Sequence, residues 1–365
     1  MRIVFAGGGT GGHLYPGLAI ARAVQRLRPD IEPFFIGARR GIEREVLPTT
    51  TFPHVLLDLY PLYRSRIWNN WRTAVSTVGA WRGIGRVFRE KRPALVVGTG
   101  GYAAGATLAY AIAHRIPIVE QTGDSLPSLT ARVFAPWARE IYLSFPESKA
   151  RFNVDSMRVF VDTGAPIEAP PQPRPDREAA LRTWQFPPDA KVILAYGGSQ
   201  GARAINDAVG EWITNGLPHG VHVIWATGKA TYDQFSRYGG KHVRVRPYIS
   251  PITDAYAAAD LAIARAGTMT LAELMAWHIP AVLVPLPSAA ADHQTLNART
   301  LEQAGAAVHL PQKQLNAAHL SKEITDLLEN PSRLKAMAAS AASRARPHAA
   351  EEIAKRVIAI ADSTA

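Results

Sequence analysis

Three runs of glycine stand where a main chain could close around an anion: Gly7-Gly8-Gly9-Thr10-Gly11-Gly12-His13, Gly98-Thr99-Gly100-Gly101-Tyr102 and Gly197-Gly198-Ser199-Gln200-Gly201. Glycine lets a backbone approach a ligand that a Cβ would hold off, and a helix that starts after such a turn favours negative charge. The spacing Gly7, Gly9, Gly12 satisfies the dinucleotide fingerprint. That fingerprint also needs an acid at the end of the second strand, for the ribose. Here the strand ends Phe35-Ile36-Gly37-Ala38-Arg39-Arg40, and Asp30 lies before it, at the wrong end. No Lys follows Gly12, so this is not a nucleotide-triphosphate loop. A plain tight turn without ligand would account for one such run. Three, in two halves of the chain, point to two phosphorylated ligands facing each other, with the Ser199 hydroxyl able to reach a phosphate oxygen.

Two further constellations lie in the second half. In Arg265-Ala266-Gly267-Thr268-Met269-Thr270-Leu271-Ala272-Glu273, Thr268 or Thr270 can cap a helix with Glu273 on its first turns. The Glu273 carboxylate either supports that N-terminus or accepts two hydroxyls of a ribose; the residues alone leave both open. Asp292-His293-Gln294-Thr295-Leu296-Asn297 offers short polar groups of the kind that hold sugar hydroxyls, or else an ordinary capped surface helix. Neither H-E-x-x-H nor D-x-D occurs, which argues against a zinc hydrolase and against a transferase holding its metal through an acidic pair.

The elements that must position these residues alternate between short apolar strands and helical stretches, the pattern of βαβ units and parallel sheets. Arg2–Ala6, Pro33–Ile36, Leu95–Val97 and Ile118–Val119 read as strands, with a helix over Leu14–Leu27. The pattern then restarts: strands at Lys191–Tyr196, Val221–Trp225, Ala262–Ala264 and Ala281–Val284, and a helix over Ala202–Asn215. Between the halves, Pro166 to Pro175 holds five prolines and reads as a linker. A length of 365 residues also favours two domains. With no cysteine there is no disulfide framework, which fits a reducing cytosol. The N-terminus lacks the apolar stretch of a signal peptide. No apolar run reaches the roughly 18 residues that span a bilayer.

Taken together, Gly7–His13 with Pro16-Gly17-Leu18-Ala19, Gly100-Gly101-Tyr102, Glu120-Gln121, Gly197–Ala202, Arg265-Ala266-Gly267 with Glu273, and Asp292-His293-Gln294 with Asn297 resemble the MurG family of peptidoglycan transferases. The match runs from about residue 1 to 345 and keeps the order of every motif. The resemblance implies a GT-B fold, α/β with two Rossmann-like domains whose parallel sheets face an interdomain cleft. The expected division is an acceptor-binding and membrane-associating domain over 1–163, a UDP-sugar domain over 164–345, and a last helix in 346–365 that packs back on the first domain. The implied reaction is inverting transfer of N-acetylglucosamine from UDP-N-acetylglucosamine to the undecaprenyl-diphosphate-linked muramyl-pentapeptide, lipid I to lipid II. No cofactor and no metal are expected. By carry-over, Ser199 contacts the donor diphosphate, the backbone at Ile249 reads the uracil edge, Glu273 holds the ribose, and His293 and Gln294 contact the sugar. Gly11-Gly12 and Gly100-Gly101 face the acceptor diphosphate, and Thr10, Gly11 and Gly12 also touch the donor sugar. Tyr102, Glu120, Gln121 and Thr122 lie on the acceptor side. His13 is the expected base for the acceptor hydroxyl, a task that suits imidazole. A UDP-sugar epimerase of the same architecture is the alternative reading.

Three places depart from the family pattern. Tyr-x-Ser-Gly-Pro reads Tyr102-Ala103-Ala104-Gly105-Ala106, His-Glu-Gln-Asn reads Val119-Glu120-Gln121-Thr122, and Gly-Asn-Pro-Val-Arg reads Gly164-Ala165-Pro166-Ile167-Glu168. The first two fall on the acceptor side and the third at the junction. The net charge is +11, and from Arg64 to Arg92 eight Lys or Arg stand against the single acid Glu90, with Trp68, Trp71, Trp81 and Phe88 between them. That mixture suits an anionic membrane surface. The alternatives are an amphipathic helix pair whose tryptophans fill the core, and a surface that stacks single-stranded nucleic acid. A lipid-linked acceptor favours the membrane, so the expected place is the cytoplasmic face of the bacterial inner membrane, bound peripherally, with no nucleic-acid partner.

Overall fold

The computed structural model describes residues 1–60, 70–154, 159–198 and 200–364, without the side chains of 70–77. The chain forms two compact units, one of Met1–Glu168 with Pro347–Ala365 and one of Ala169–Arg346.

The first unit contains β1 (Arg2–Gly7), β2 (Glu32–Ala38), β3 (His54–Leu57), β4 (Leu95–Gly100), β5 (Ile118–Thr122), β6 (Ala138–Leu143) and β7 (Val159–Asp162). They make one parallel sheet in the order β3-β2-β1-β4-β5-β6-β7. Its helices are α1 (Gly11–Leu27), α2 (Glu43–Val46), α3 (Asn70–Lys91), α4 (Tyr102–Ala113) and α5 (Leu129–Phe134). Alternate strand residues feed two cores, as a period of two requires. Ile3, Phe5, Leu95 and Val97 pack with Leu14, Leu18 and Val24 of α1 on one face. Val4, Ala6, Val96 and Ile118 pack with Ile84, Val87 and Phe88 of α3 and Leu108 of α4 on the other. Both faces are covered, so the strands are near-continuous apolar runs.

The second unit contains β8 (Lys191–Tyr196), β9 (Val221–Ala226), β10 (Val243–Arg246), β11 (Leu261–Ala264), β12 (Ala281–Leu283) and β13 (Ala307–His309). All are parallel, in the order β10-β9-β8-β11-β12-β13. Between and beyond them run α6 (Arg177–Thr183), α7 (Arg203–Asn215), α8 (Tyr232–Phe235), α9 (Thr253–Ala258), α10 (Thr268–Trp277), α11 (His293–Gln303), α12 (Ala317–Leu328) and α13 (Pro331–Arg344). The chain then returns to the first unit as α14 (Ala349–Asp362). Its apolar residues Ala350, Ile353, Ala354, Val357, Ile358 and Ala361 recur at helical spacing and join the α1 core. Arg356 meets Glu140 at 3.1 Å, and Arg28 meets Asp362 at 3.1 Å.

In each sheet the strand order reverses once, at β1/β4 and at β8/β11. Ligands of open parallel sheets bind beyond the carboxyl ends of the strands at such a reversal. The glycine turns after β1 and β4 and the runs after β8 and β11 therefore all sit at reversal points.

Candidate functional site

In the first unit the two glycine turns are a single structure. Gly7 and Gly100 are register partners at the ends of β1 and β4. The Gly8 N–H donates to the Gly100 carbonyl at 3.3 Å. A Cβ on Gly101 would lie 2.0 Å from the Gly8 oxygen, and one on Gly9 would lie 2.6 Å from the Tyr102 ring. No side chain larger than hydrogen fits at either seam. Gly9, Gly100 and Gly101 also hold φ of 88°, 91° and 76°, the left-handed region that glycine enters without strain.

His13 sits in this seam. Its Nδ1 is 3.0 Å from Thr10 Oγ1, and its carbonyl accepts the Thr99 hydroxyl at 2.7 Å. A Cβ on Gly100 would lie 2.8 Å from its Cδ2, so the ring lies against the second turn. Thr10 is the N-cap residue of α1, but its hydroxyl meets the His13 ring and does not cap the helix. Gly11 and Gly12 are the first two residues of that helix.

Glu120, Gln121 and Thr122 end β5, and all three are buried. Gln121 Nε2 donates to Ser144 Oγ at 3.0 Å. Glu120 Oε2 and Gln121 Oε1 have no hydrogen-bond partner among the described residues. Loss of solvent pushes the Glu120 carboxyl well above its ordinary range.

The sequence lacks an acid at the end of β2, yet the fold supplies one from further along. Glu43, on α2, is fully buried and accepts the Gly9 N–H at 2.9 Å and the Ala38 N–H at 3.0 Å. Local reading of the strand end could not find it, because it reaches back from five residues beyond Ala38.

In the second unit the third turn runs from β8 into α7. Ser199 lies outside the described residues. Gly198 and Gly201 have φ of 84° and 77°. A Cβ on Gly201 would lie 2.1 Å from the Thr227 oxygen, so the turn rests on the loop after β9. Buried Asn206 fixes that loop: Nδ2 donates to the Thr227 carbonyl at 2.7 Å and to Thr231 Oγ1 at 3.0 Å, while Oδ1 accepts Trp225 Nε1 at 3.0 Å.

A cleft of about 700 Å³ opens beside this turn, with Arg265, Gly267, Thr270, Leu286, Gln294 and Gln312 among its lining. Arg265 is buried and donates to the Val284 and Pro285 carbonyls, each at 3.0 Å. Its burial lowers its pKa from the ordinary value. Glu273 follows Thr270 by three residues, on the same face of α10. Its Oε2 accepts the Tyr256 hydroxyl at 2.7 Å. The expected capping by Thr268 or Thr270 is corrected: Gly267 is the N-cap and Thr268 already lies within the helix. Gln294 Oε1 accepts the Leu286 N–H at 3.0 Å, tying α11 to the loop it follows. His293 Nδ1 donates to the Ala290 carbonyl at 2.8 Å, and neither His293 nor Ile249 is among the residues lining this cleft. Ile249 is buried in the loop between β10 and α9. Ala291 and Asp292, just before α11, both hold φ above 50°, strained for residues with a side chain.

Two doubly wound parallel sheets, each with its glycine turns at the reversal point, define the class: a two-domain protein of the GT-B type. Residues 3–143 match the glycosyltransferase family 28 N-terminal domain and residues 192–356 its C-terminal domain. The UDP-N-acetylglucosamine--N-acetylmuramyl-(pentapeptide) pyrophosphoryl-undecaprenol N-acetylglucosamine transferase of Salinibacter ruber is 41% identical, over 99% of this chain and 97% of its own. The enzyme of the same name from Moorella thermoacetica is 36% identical over all of both chains. The crystal structure of Acinetobacter baumannii MurG superposes with a TM-score of 0.78 at 24% identity, covering 98% of this chain and 99% of its own. A Listeria monocytogenes structure described as a UDP-N-acetylglucosamine 2-epimerase shares the fold at a TM-score of 0.67 and 14% identity, over 97% and 94%. The chain belongs to the MurG transferases of glycosyltransferase family 28.

Proposed function

We propose that this protein transfers N-acetylglucosamine from UDP-N-acetylglucosamine to the undecaprenyl-diphosphate-linked muramyl-pentapeptide, converting lipid I to lipid II. The observation that carries this reading is the full-length match to transferases of that name, on a fold that sets glycine turns at both reversal points. In the proposed roles, the second unit holds the donor. Glu273, steadied by Tyr256, accepts the ribose hydroxyls, the backbone at Ile249 meets the uracil, and Ser199 with the third turn takes the diphosphate. His293 and Gln294 meet the sugar. The first unit presents the acceptor: Gly11-Gly12 and Gly100-Gly101 receive its diphosphate, with Tyr102, Glu120, Gln121 and Thr122 behind them, and Thr10 to Gly12 also approach the donor sugar.

His13 acts as the base. In the tautomer that donates Nδ1–H to Thr10 Oγ1, Nε2 is the nitrogen that takes the proton from the acceptor hydroxyl. The hydroxyl oxygen attacks the anomeric carbon, the bond to UDP breaks, and UDP leaves with the electron pair, so the configuration inverts. Negative charge grows on the diphosphate as it leaves, where N–H groups aimed at that charge lower the barrier most.

We place the protein peripherally on the cytoplasmic face of the membrane. No helix among the described residues is long and apolar enough to cross a bilayer. The described end of the basic stretch exposes Trp81, Arg82, Arg86, Arg89 and Arg92 while burying Ile84, Val87 and Phe88. Incubation with labelled UDP-N-acetylglucosamine and a lipid I analogue should give the disaccharide product. Conversion of the nucleotide sugar without acceptor would point to an epimerase instead, and no product from either would remove the transferase reading.

A further inference from the structure

We infer that Glu43 is a positioning residue of the first glycine turn, a buried side chain that fixes the turn from behind and thereby sets where Thr10 and His13 stand. This rests on the reading above that His13 works in the transfer. The carboxylate has no solvent contact and no cation beside it among the described residues. Burying such a group is costly unless its oxygens are satisfied, and each of them accepts a different N–H. One bond goes to Gly9 in the turn after β1, and the other to Ala38 at the end of β2. The carboxylate is therefore a brace between two strand ends.

The space around it is built for it. A Cβ on Gly8 would stand 2.0 Å from Oε1, one on Gly41 would stand 2.0 Å from Oε2, and one on Gly37 would stand 3.0 Å from Cγ. Three positions on three segments stay bare so that one side chain can enter. In a ligand-binding glycine turn the Gly9 N–H would point at the ligand's anion. Here it is satisfied before any ligand arrives. What the turn gains is a fixed shape. Gly9 leads directly to Thr10, whose hydroxyl meets the His13 ring, while Thr99 holds the His13 carbonyl from the opposite side. A base held this way needs no rearrangement when the acceptor binds.

The test compares full-length Glu43→Gln, Glu43→Ala and Gly8→Ala with the parent chain. Steady-state kinetics, UDP calorimetry and amide hydrogen exchange at Gly9 are the readouts. Glutamine keeps the shape but offers one acceptor oxygen to two donors. Loss of alignment at the base should lower kcat by about ten-fold or more, leave donor KM and UDP affinity within about two-fold, and speed Gly9 exchange by about ten-fold. Gly8→Ala, whose new methyl would displace the carboxylate, should reproduce that split. Wild-type kcat with unchanged Gly9 exchange in Glu43→Gln would overturn the inference. So would a parallel fall of kcat, UDP affinity and melting temperature, the mark of a merely structural residue. Should the parent chain transfer no sugar, the transferase reading fails on its own; Gly9 exchange in the three variants would then still support or refute the brace.

Discussion

Half-buried His13 and fully enclosed Glu120 lie in one domain, and each carries a prediction. His13 lies at a seam between glycines with its ring fixed by Thr10. His13→Ala should lower kcat by roughly 100- to 10,000-fold, the contribution of a positioned base. UDP affinity should hold, because the proposed contacts to the uracil, ribose and diphosphate of the donor are in the other unit. Steady-state kinetics in both substrates beside a melting curve distinguishes this from a positioning role, which would raise acceptor KM instead. Glu120 is buried at 2% exposure, and burial raises its pKa from the ordinary 4.5. The unfolded chain therefore ionises Glu120 at lower pH than the folded one. Its favourable share of stability is complete below about pH 4.5 and is lost as pH rises toward the raised folded value, by up to about 1.4 kcal/mol per pH unit. Glu120→Gln should flatten that slope and stabilise the protein at neutral pH, as denaturant melts from pH 4 to 8 would record. A slope equal to that of the parent chain would mean that Glu120 does not titrate in this window. Glycine turns are legible in sequence because only glycine tolerates such backbones and approaches. Glu43 is not, because its partners come from two other segments and no local pattern announces them.

At the scale of elements, the strands read from sequence are those that flank the two reversal points and their neighbours. Buried on both faces, they are unbroken apolar runs. The strands that sequence reading missed are mostly outer ones: His54–Leu57 and Val159–Asp162 edge the first sheet, Val243–Arg246 and Ala307–His309 the second. Such edges carry half-exposed or charged residues and lose the apolar signature; Val-Arg-Val-Arg in β10 shows it plainly. Ala138–Leu143, inside the sheet, was hidden by Arg139 and Glu140 at its start. The long helix after the third turn was legible to within one residue at its start, since the glycines mark where it can begin. The C-terminal α14 gives a prediction at this scale. Its residues Ile353, Val357 and Ile358 are buried in the α1 core, and each such side chain contributes about 1.5–3 kcal/mol. Truncation after Arg346 should therefore unfold the first unit or leave it without a cooperative transition, while calorimetry still finds UDP binding by the second. A truncated chain with a normal first transition would refute the role given to this helix.

For the whole molecule, the net charge of +11 concentrates where eight basic residues lie between Arg64 and Arg92. Each Lys or Arg near an anionic surface contributes about 1 kcal/mol, within the reach of salt screening. The protein should float with phosphatidylserine-containing vesicles at low salt and leave them at high salt. Reversing Arg82, Arg86 and Arg89 to Glu should weaken that binding by about 100-fold or more. Failure of the parent chain to float at low salt would remove the membrane surface as a partner. The sequence showed two halves of one architecture because the strand-turn-helix pattern restarts after the prolines. It could not fix the functional pairing of side chains such as Tyr256 with Glu273, which depends on how α9 and α10 pack.

The first unit is discontinuous in the chain: Pro347–Ala365 completes what Met1–Glu168 begins, and the whole second unit lies between. Synthesis therefore delivers the missing side of the α1 core last. Domains tend to fold as they emerge, and here the second to be made is the first that can finish. Until α14 leaves the ribosome, the α1 face stays uncovered and the half proposed to carry the acceptor is unfinished. A chain stalled or clipped before α14 thus displays bare apolar surface to chaperones and proteases. The first unit is completed, and the α1 core covered, only once the whole second unit has been made.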